Sequence, residues 1–476
     1  MKIFNSLTRK LETFIPLQEG KITIYTCGQT VNNVLHVGAA RTYSQWDTIV
    51  KYLRWRGFDV IHVQNFTDVG HLTDDADQGD DKIIEKSSER NLKPMEFVDT
   101  MIREFLKDTD SLNIARPNVA PRATAHIPEM ISLVKTLLEK GYAYETEKGV
   151  YFDVSRFSDY GRLAHIAEID QLPGARIAVD PLKRNPKDFA LWINADSSHL
   201  LQWDSPWGSG YPGWHLECSS MVHKYLGETI DIHGGGMEHM MLHHPNERAQ
   251  SEAATGKPFV RYWLHAALVQ LINPTTQEKE KMSKSGRFVP VRELIQRYGS
   301  NLIRFYLINS HYRTSIIFSE EQIEKNRDSF EKLMTTIISL RTFLKGTHFT
   351  VSELSSEGEQ AKQDFIKAMD NDFNVSEAWK AIYTLSTRLN ASTKTAPTSK
   401  IVADFQLFLE LLDVMGVQPP AETPYIQLIE NLIKLRNKLR TEKNFEIADE
   451  IRSVLSESGV FLKDTSIGSI YKIERW

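Results

Sequence analysis

Residues 21–69 read KITIYTCGQTVNNVLHVGAARTYSQWDTIVKYLRWRGFDVIHVQNFTDV. KITIYTCG reads as a strand ending at a glycine. Beyond His36-Val37-Gly38, apolar residues at Trp46, Ile49, Val50 and Leu53 fall at i, i+3, i+4 and i+7, one face of a helix. Gly57 is placed to stop that helix, and DVIHVQNFTDVG supplies a second strand. Strand, loop, helix, strand is a βαβ unit, which predicts an α/β fold with a parallel nucleotide-binding sheet. His36-Val37-Gly38 then lies between strand and helix, where backbone N–H groups and the helix dipole favour phosphate.

The bulk numbers narrow the class without naming a function. A chain of 476 residues is long enough for two to four domains. Its 41% apolar and 25% charged residues are those of a globular protein. No run approaches the roughly 18 apolar residues of a membrane helix, and MKIFNSLTRKLETF lacks the apolar core of a signal peptide. Two cysteines form no disulfide framework and fit a reducing cytoplasm. With a net charge of −5, a nucleic-acid partner has to be met by local basic patches.

Outside the opening unit, residues 71–81 are acidic and turn-rich and read as an inserted loop. Residues 95–145 read as helical, with Met130, Ile131, Val134, Leu137 and Leu138 forming a stripe closed by Gly141. GVYFDVSRF reads as a strand, and 172–213 is loop-heavy. The βαβ pattern resumes at ETIDIHGGG and YWLHAALVQLI. From about 300 to 417 the pattern is helical, Pro419-Pro420 mark a linker, and the tail holds one basic helix and a β-like end.

About 245 residues after His36 comes Lys281-Met282-Ser283-Lys284-Ser285. Two lysines three apart, interleaved with hydroxyls, suit a loop that clamps the β- and γ-phosphates of ATP and offsets charge on the leaving pyrophosphate. HVG followed by KMSKS resembles the paired elements of class I aminoacyl-tRNA synthetases, and makes adenylate formation the leading chemistry. The cysteines carry the next step. Cys27 stands nine residues ahead of His36, and Cys218 lies in PGWHLECSSM, 25 residues before HHPNE. Two thiolates, a histidine and a carboxylate could close a zinc site.

CGQT, HVGAAR, NFTDV, DDKII, NPKDFALW, SPWGSGYPGWHLEC, DIHGGG, HHPNERAQSEAATGKP and KMSKS occur in the order found in cysteinyl-tRNA synthetases. AMDNDFN and LRNKLRTEKNFEIADEIRSVL are similar to that family as well, so the resemblance spans about residues 2–465. It implies a class I catalytic domain over 1–300, with Rossmann halves at about 20–95 and 210–300 and a connective insertion at about 96–209. A helical bundle over 301–418 and a basic, anticodon-binding α/β module over 421–476 complete the expected architecture. It implies zinc held by Cys27, Cys218, His243 and Glu247, and ATP with Mg²⁺ handled by His36, Gly38, Lys281 and Lys284. Thr67, Trp214 and Glu238 would line the cysteine pocket, with tRNA(Cys) as acceptor and a monomer as the working form. Zinc suits this task because a hydrophobic pocket separates near-isosteres by only about 10²-fold, whereas a demanded polar partner reaches about 10⁴–10⁵. No editing segment is expected.

One ligand stays open. Pro245 disfavours a helical residue 244, so the helix is expected to begin at Pro245 with His244 as its cap. His243 would then reach the metal from a loop, and His244 is an alternative ligand. Ala39 replaces the usual second histidine of the nucleotide loop, and Glu238 stands where an aspartate is usual; these mark a divergent member. Arg41 reads as a phosphate contact or a helix-surface charge. Lys434, Arg436, Lys438, Arg440 and Lys443 form a basic stripe over an apolar face of Leu432, Ile433, Leu435 and Leu439. Phe461, Tyr471 and Trp476 are candidates to stack on bases. Two alternatives share the catalytic motifs: a cysteine-adenylating amide ligase of the mycothiol-pathway type, and a non-catalytic RNA-binding paralogue.

Overall fold

The computed structural model describes residues 1–69, 82–164, 182–195, 199–272, 279–281, 288–347, 349, 353–420, 424–465 and 468–473, with backbone alone for 82, 279–281, 424 and 425. The acidic stretch 71–81, Met282 to Arg287 and Trp476 lie outside them.

The chain opens with a hairpin of β1 (Lys2–Asn5) and β2 (Lys10–Thr13). The βαβ unit follows as β3 (Lys21–Thr30), α1 (Val37–Trp55) and β4 (Asp59–Thr67). α2 (Lys82–Glu89), α3 (Pro94–Ser111) and α4 (Ile127–Glu139) lead to an antiparallel sheet. Its strands are β5 (Ala143–Thr146), β6 (Gly149–Phe152), β7 (Phe189–Asn194) and β8 (Gly210–Pro212). The chain then returns through α5 (Trp214–Tyr225), β9 (Ile230–Gly236), α6 (His243–Thr255) and β10 (Val260–Ala266). The result is a parallel sheet in the order β10-β9-β3-β4.

Beside it, β11 (Val269–Ile272) pairs with both β12 (Lys279–Lys281) and β13 (Ile316–Ile317), with α7 (Val291–Tyr298) and α8 (Ser300–Ile308) between the last two in sequence. The helical part is α9 (Glu320–Leu344), α10 (Ser356–Met369), α11 (Val375–Ser392) and α12 (Ser399–Val414). The C-terminal part is α13 (Pro424–Thr441), α14 (Phe445–Glu457) and the hairpin β14 (Val460–Thr465) and β15 (Gly468–Ile473).

The first unit forms as its pattern dictates. Trp46, Ile49, Val50 and Leu53 are buried on α1, and Gly57 turns the chain at φ 90°. Gly28 sits where the β3–β4 register slips, because a Cβ there would lie 1.5 Å from the Asn65 carbonyl oxygen. On α4, Met130, Val134 and Leu137 are fully buried.

The tail holds two helices rather than one. Lys443, at φ 61°, turns the chain between them, a break that a continuous run of charged residues conceals. Arg41 also departs from expectation. It is fully buried on α1, and its guanidinium donates to the carbonyls of Ala267 (2.8 Å), His311 (3.1 Å) and Thr314 (2.8 Å) and to Ser310 Oγ (3.2 Å). Desolvation lowers its pKa to about 10. It is a strut, not a helix-surface charge, and its hydrogen bonds go to the protein.

The segment that Arg41 grips is also held by Asp372 of the AMDNDFN motif. The Asp372 carboxylate accepts from Phe4 N–H, Tyr312 O–H and Arg313 Nε, each at 2.8 Å. Asp372 and Phe373 occupy left-handed φ of 58° and 53°, an arrangement that holds only where surrounding contacts enforce it. A second strut crosses from α1 to α8, where buried Arg304 donates to Asp47 (2.7 Å), to Thr48 and to the Met415 carbonyl.

Candidate active site

β3 carries Cys27 to the C-terminal edge of the parallel sheet, where ligands bind in open α/β folds. α5 supplies Cys218, and the start of α6 supplies His243 and His244, with Glu247 one turn further on. Helix α6 starts at His243, two residues earlier than Pro245 suggests. The first N–H groups of a helix have no intrahelical partner, so a proline in the first turn removes no bond. His243 and Glu247 are therefore i and i+4 on one helical face, and His243 reaches the pocket from a helix rather than a loop.

The donor atoms of Cys27, Cys218, His243 and Glu247 all lie within 4.8 Å of one another, and all four residues are buried. His243 Nε2 is 3.5 Å from Cys218 Sγ and 2.9 Å from Glu247 Oε1, and Cys27 Sγ is 3.9 Å from that oxygen. Metal–ligand bonds of roughly 2.0–2.3 Å in a tetrahedron put donors about 3.3–3.8 Å apart, so the arrangement fits a metal cage. Behind the donors, His215 Nδ1 meets His243 Nδ1 at 2.8 Å, which turns Nε2 of His243 inward.

The electrostatics match. Burial raises the Cys27 thiol well above its ordinary pKa, reinforced by Cys218, Glu247 and Glu238. The hydrogen bond from Cys27 lowers that of Cys218. Burial disfavours a charged His243, yet Glu247 and Cys218 outweigh it and raise the imidazole to about 10. Burial likewise opposes the Glu247 charge, but His233 and His243 hold its carboxyl at about 2. The anionic donors thus attract positive charge into the centre of the cage.

Four further histidines surround this group: His244, named above as an alternative ligand, and His233, His239 and His265, which motif reading passed over. His233 Nε2 contacts Glu247 Oε2 at 2.8 Å, and His244 Nε2 contacts Cys27 Sγ at 3.2 Å. His265 Nε2 meets His244 Nδ1 at 2.8 Å, and His239 stands 5.4 Å from His244, ring centre to ring centre. The parallel register sets His233 opposite Tyr25, two residues before Cys27. A histidine between Ile232 and GGG on a fully buried strand was the available signal.

The other predicted residues surround the cage. The Trp214 ring lies 4.3 Å from that of His243. Thr67 Oγ1 donates to Glu217 Oε2 at 2.9 Å, next to Cys218. Glu238, exposed on a short 3₁₀ turn, folds its carboxylate back over Gly236. At the nucleotide loop, His36 caps α1: its Nδ1 accepts the Ala39 N–H at 3.2 Å. That tautomer leaves Nε2–H as a donor. Val37 N–H donates to the Val289 carbonyl and Val291 N–H to the Leu35 carbonyl, so the chain just after the lysine loop lies against the start of α1. The backbone of Lys281 ends β12, paired with Gln270. Its side chain, and all of Lys284, fall outside the described residues.

At the far end of the chain the basic stripe divides. Arg436 is fully buried and clasps Asp464 with both nitrogens (2.6 and 2.8 Å), while Leu435 is exposed. The apolar face of α13 is therefore Ile426, Ile429 and Ile433, with Leu432 at its edge and Arg436 completing it. Tyr471 is buried in the same cluster and offers no stacking face, whereas Phe461 is exposed. Lys434, Lys438, Arg440 and Lys443 face solvent. No helix among the described residues is long and apolar enough to cross a membrane.

Residues 13–328 match the model of the class I (C) tRNA synthetase catalytic domain, and 364–418 match the DALR domain. Cysteine–tRNA ligases from Chlorobium chlorochromatii and Carboxydothermus hydrogenoformans are 40% and 41% identical, over 100% and 99% of this chain and 99% and 100% of their own lengths. One from Thermococcus onnurineus is 40% identical, over 99% of each chain. A methionyl-tRNA synthetase structure from Mycobacterium tuberculosis, in complex with methionyl-adenylate, superposes with a TM-score of 0.58 at 16% identity, covering 83% of this chain and 89% of its own. That likeness extends the agreement to the fold. Parallel sheet, sulfur-bearing cage and full-length relatives converge: the chain belongs to the cysteinyl-tRNA synthetase family of class I aminoacyl-tRNA synthetases.

Proposed function

We propose that this protein joins L-cysteine to tRNA(Cys) with ATP. The cysteine carboxylate attacks the α-phosphorus, the bond to the β-phosphate breaks, and cysteinyl-adenylate and pyrophosphate result. A terminal ribose hydroxyl of the tRNA then attacks the carbonyl and AMP leaves. The observation that carries this reading is the convergence of two cysteines, a histidine and a glutamate from three distant segments in one buried cage on the sheet that also bears the nucleotide loop.

His36 donates from Nε2–H to phosphoryl oxygens, oriented by the Ala39 N–H on its other nitrogen, and the dipole of α1 adds to the attraction. A side chain at Gly38 would start 3.0 Å from the His36 ring, so glycine leaves the ring its position. Lys281 and Lys284 offset charge on the leaving pyrophosphate, with Mg²⁺ on the phosphates. Glu238 receives the substrate amino group, and Thr67 and Trp214 border the side-chain pocket. Cys27, Cys218, His243 and Glu247 hold zinc. Bound there, zinc supplies a soft Lewis acid for the substrate sulfur and so separates cysteine from serine. The segment 421–476 carries the anticodon end of the tRNA through Lys434, Lys438, Arg440 and Lys443. A monomer in the cytoplasm is the working form.

The test is ATP–pyrophosphate exchange with cysteine, followed by charging of tRNA(Cys). Both should proceed, with serine discriminated by at least about 10⁴ in kcat/KM. Exchange without charging assigns the chain to the amide-ligase alternative. No exchange with retained RNA binding assigns it to the non-catalytic one.

A further inference from the structure

The cage has a second half. The donor atoms of Cys27, His233, His244 and Glu247 also lie within 4.8 Å of one another, and all four residues are buried. The separations match those of the first set: Cys27 to His244 is 3.2 Å, Cys27 to Glu247 is 3.9 Å and His244 to Glu247 is 4.0 Å. His233 approaches the second Glu247 oxygen at 2.8 Å. The two sets share the Cys27–Glu247 edge, with Cys218 and His243 in one and His233 and His244 in the other.

His244 is built as a ligand is built. Metal-bound imidazoles engage their other ring nitrogen with an outer partner that fixes the tautomer. The Nδ1 of His244 meets His265 Nε2 at 2.8 Å, and His265 Nδ1 meets Ser6 Oγ at 2.8 Å. That relay aims Nε2 of His244 at the Cys27 sulfur, just as His215 aims Nε2 of His243. The backbone is cut away to admit the ring, since a Cβ on Gly235 would lie 2.6 Å from His244 Cε1.

We propose that the pocket offers a borderline-soft dication such as zinc two overlapping positions, the second formed by Cys27, His233, His244 and Glu247. The positions exclude one another, because Cys27, Cys218 and Glu247 bring three negative charges in all, too few to neutralise two buried dications. The second position holds the ion when the Cys218–His243 side is withdrawn. This rests on the reading that the pocket binds a metal, and not on which amino acid is activated.

The experiment measures zinc by elemental analysis and competitive titration in the full chain, with Co²⁺ absorption as the report on ligand type. The wild type should bind one zinc. Cys218→Ala should still bind one, about a hundredfold more weakly, with thiolate-to-cobalt absorption reduced to about half as one sulfur replaces two. His243→Gln reaches the same state by another route, should Cys218→Ala fail to fold. Adding His244→Gln and His233→Gln to either variant should abolish binding. Two zinc ions per wild-type chain, a folded Cys218→Ala or His243→Gln variant with no zinc, or binding indifferent to the added histidine changes would each overturn the second position. A wild type without zinc would overturn the metal reading itself, a distinguishable result.

Discussion

The sulfur cage and the C-terminal module were both marked in the sequence by clusters of reactive or charged side chains, and the fold treats the two clusters in opposite ways. In the cage, all four predicted donors turn inward to one point, backed by histidines that set their direction. In the C-terminal module the cluster is divided, with Arg436 inside clasping Asp464 and the remaining cations outside. Residues gathered from distant segments are held to a common purpose by the tertiary fold. A run of cations along one helix has no such constraint, and its members are sorted only by which face the fold covers.

The largest expected effect comes from the shared edge of the cage. Cys27→Ala should remove zinc and lower cysteine-dependent exchange by about 10⁴ in kcat/KM, while leaving binding of tRNA unchanged. Zinc retained at wild-type stoichiometry in that variant would break the comparison. Next, His36→Ala should lower kcat for exchange by about 10²–10³ with little change in KM for ATP, because its donor acts on developing charge; steady-state exchange kinetics read this directly.

Arg436→Ala sharpens the other side. It leaves Asp464 with the Ser469 hydroxyl but no cation, and loosens the hairpin from α13. Charging should fall about tenfold while exchange stays within about twofold, since a misplacement of roughly 1 Å is enough for a loss of that order or more. Parallel losses in both assays would show that the module supports the catalytic half as a whole.

The smallest effect is in the pH response. Buried His62, bonded to Thr26 at 2.8 Å, has its pKa lowered by burial to about 4. The unfolded chain takes up that proton first, so the catalytic half loses stability as pH falls from about 6.5 toward 4. Asp464 shifts the other way in charge terms: its bond from Arg436 depresses its pKa. The stability it gives is present above about pH 3.9 and declines only below that. Hydrogen exchange followed from pH 7 to 3 should show the sheet weakening before the hairpin does.

What was legible in the sequence was whatever depended on period or on an unusual residue type. The βαβ unit followed from the spacing of Trp46, Ile49, Val50 and Leu53, and the cage donors from two rare cysteines embedded in family motifs. What escaped was set by tertiary packing. Arg41 reads in sequence as a phosphate contact or a surface charge and Arg436 as part of a basic stripe, yet each is buried where backbone carbonyls or a carboxylate accept from its guanidinium. The start of α6 escaped because the local bias before Pro245 is outweighed by burial of His243 and His244 on the helix. The outer histidines escaped because single imidazoles on β9 and β10 carry no spacing signature.

Asp372 and Arg41 both bind residues 310–314, and that segment runs directly into β13, which pairs with β11, the neighbour of the strand that ends at Lys281. The turn between α10 and α11 therefore touches the same segment that α1 grips through Arg41. The helical part thus meets the βαβ unit at more than one point, for Asp370 accepts from Tyr52 on α1 while Asp372 binds the segment that Arg41 holds, so loosening that turn would disturb the seat of α1 and of β13 together.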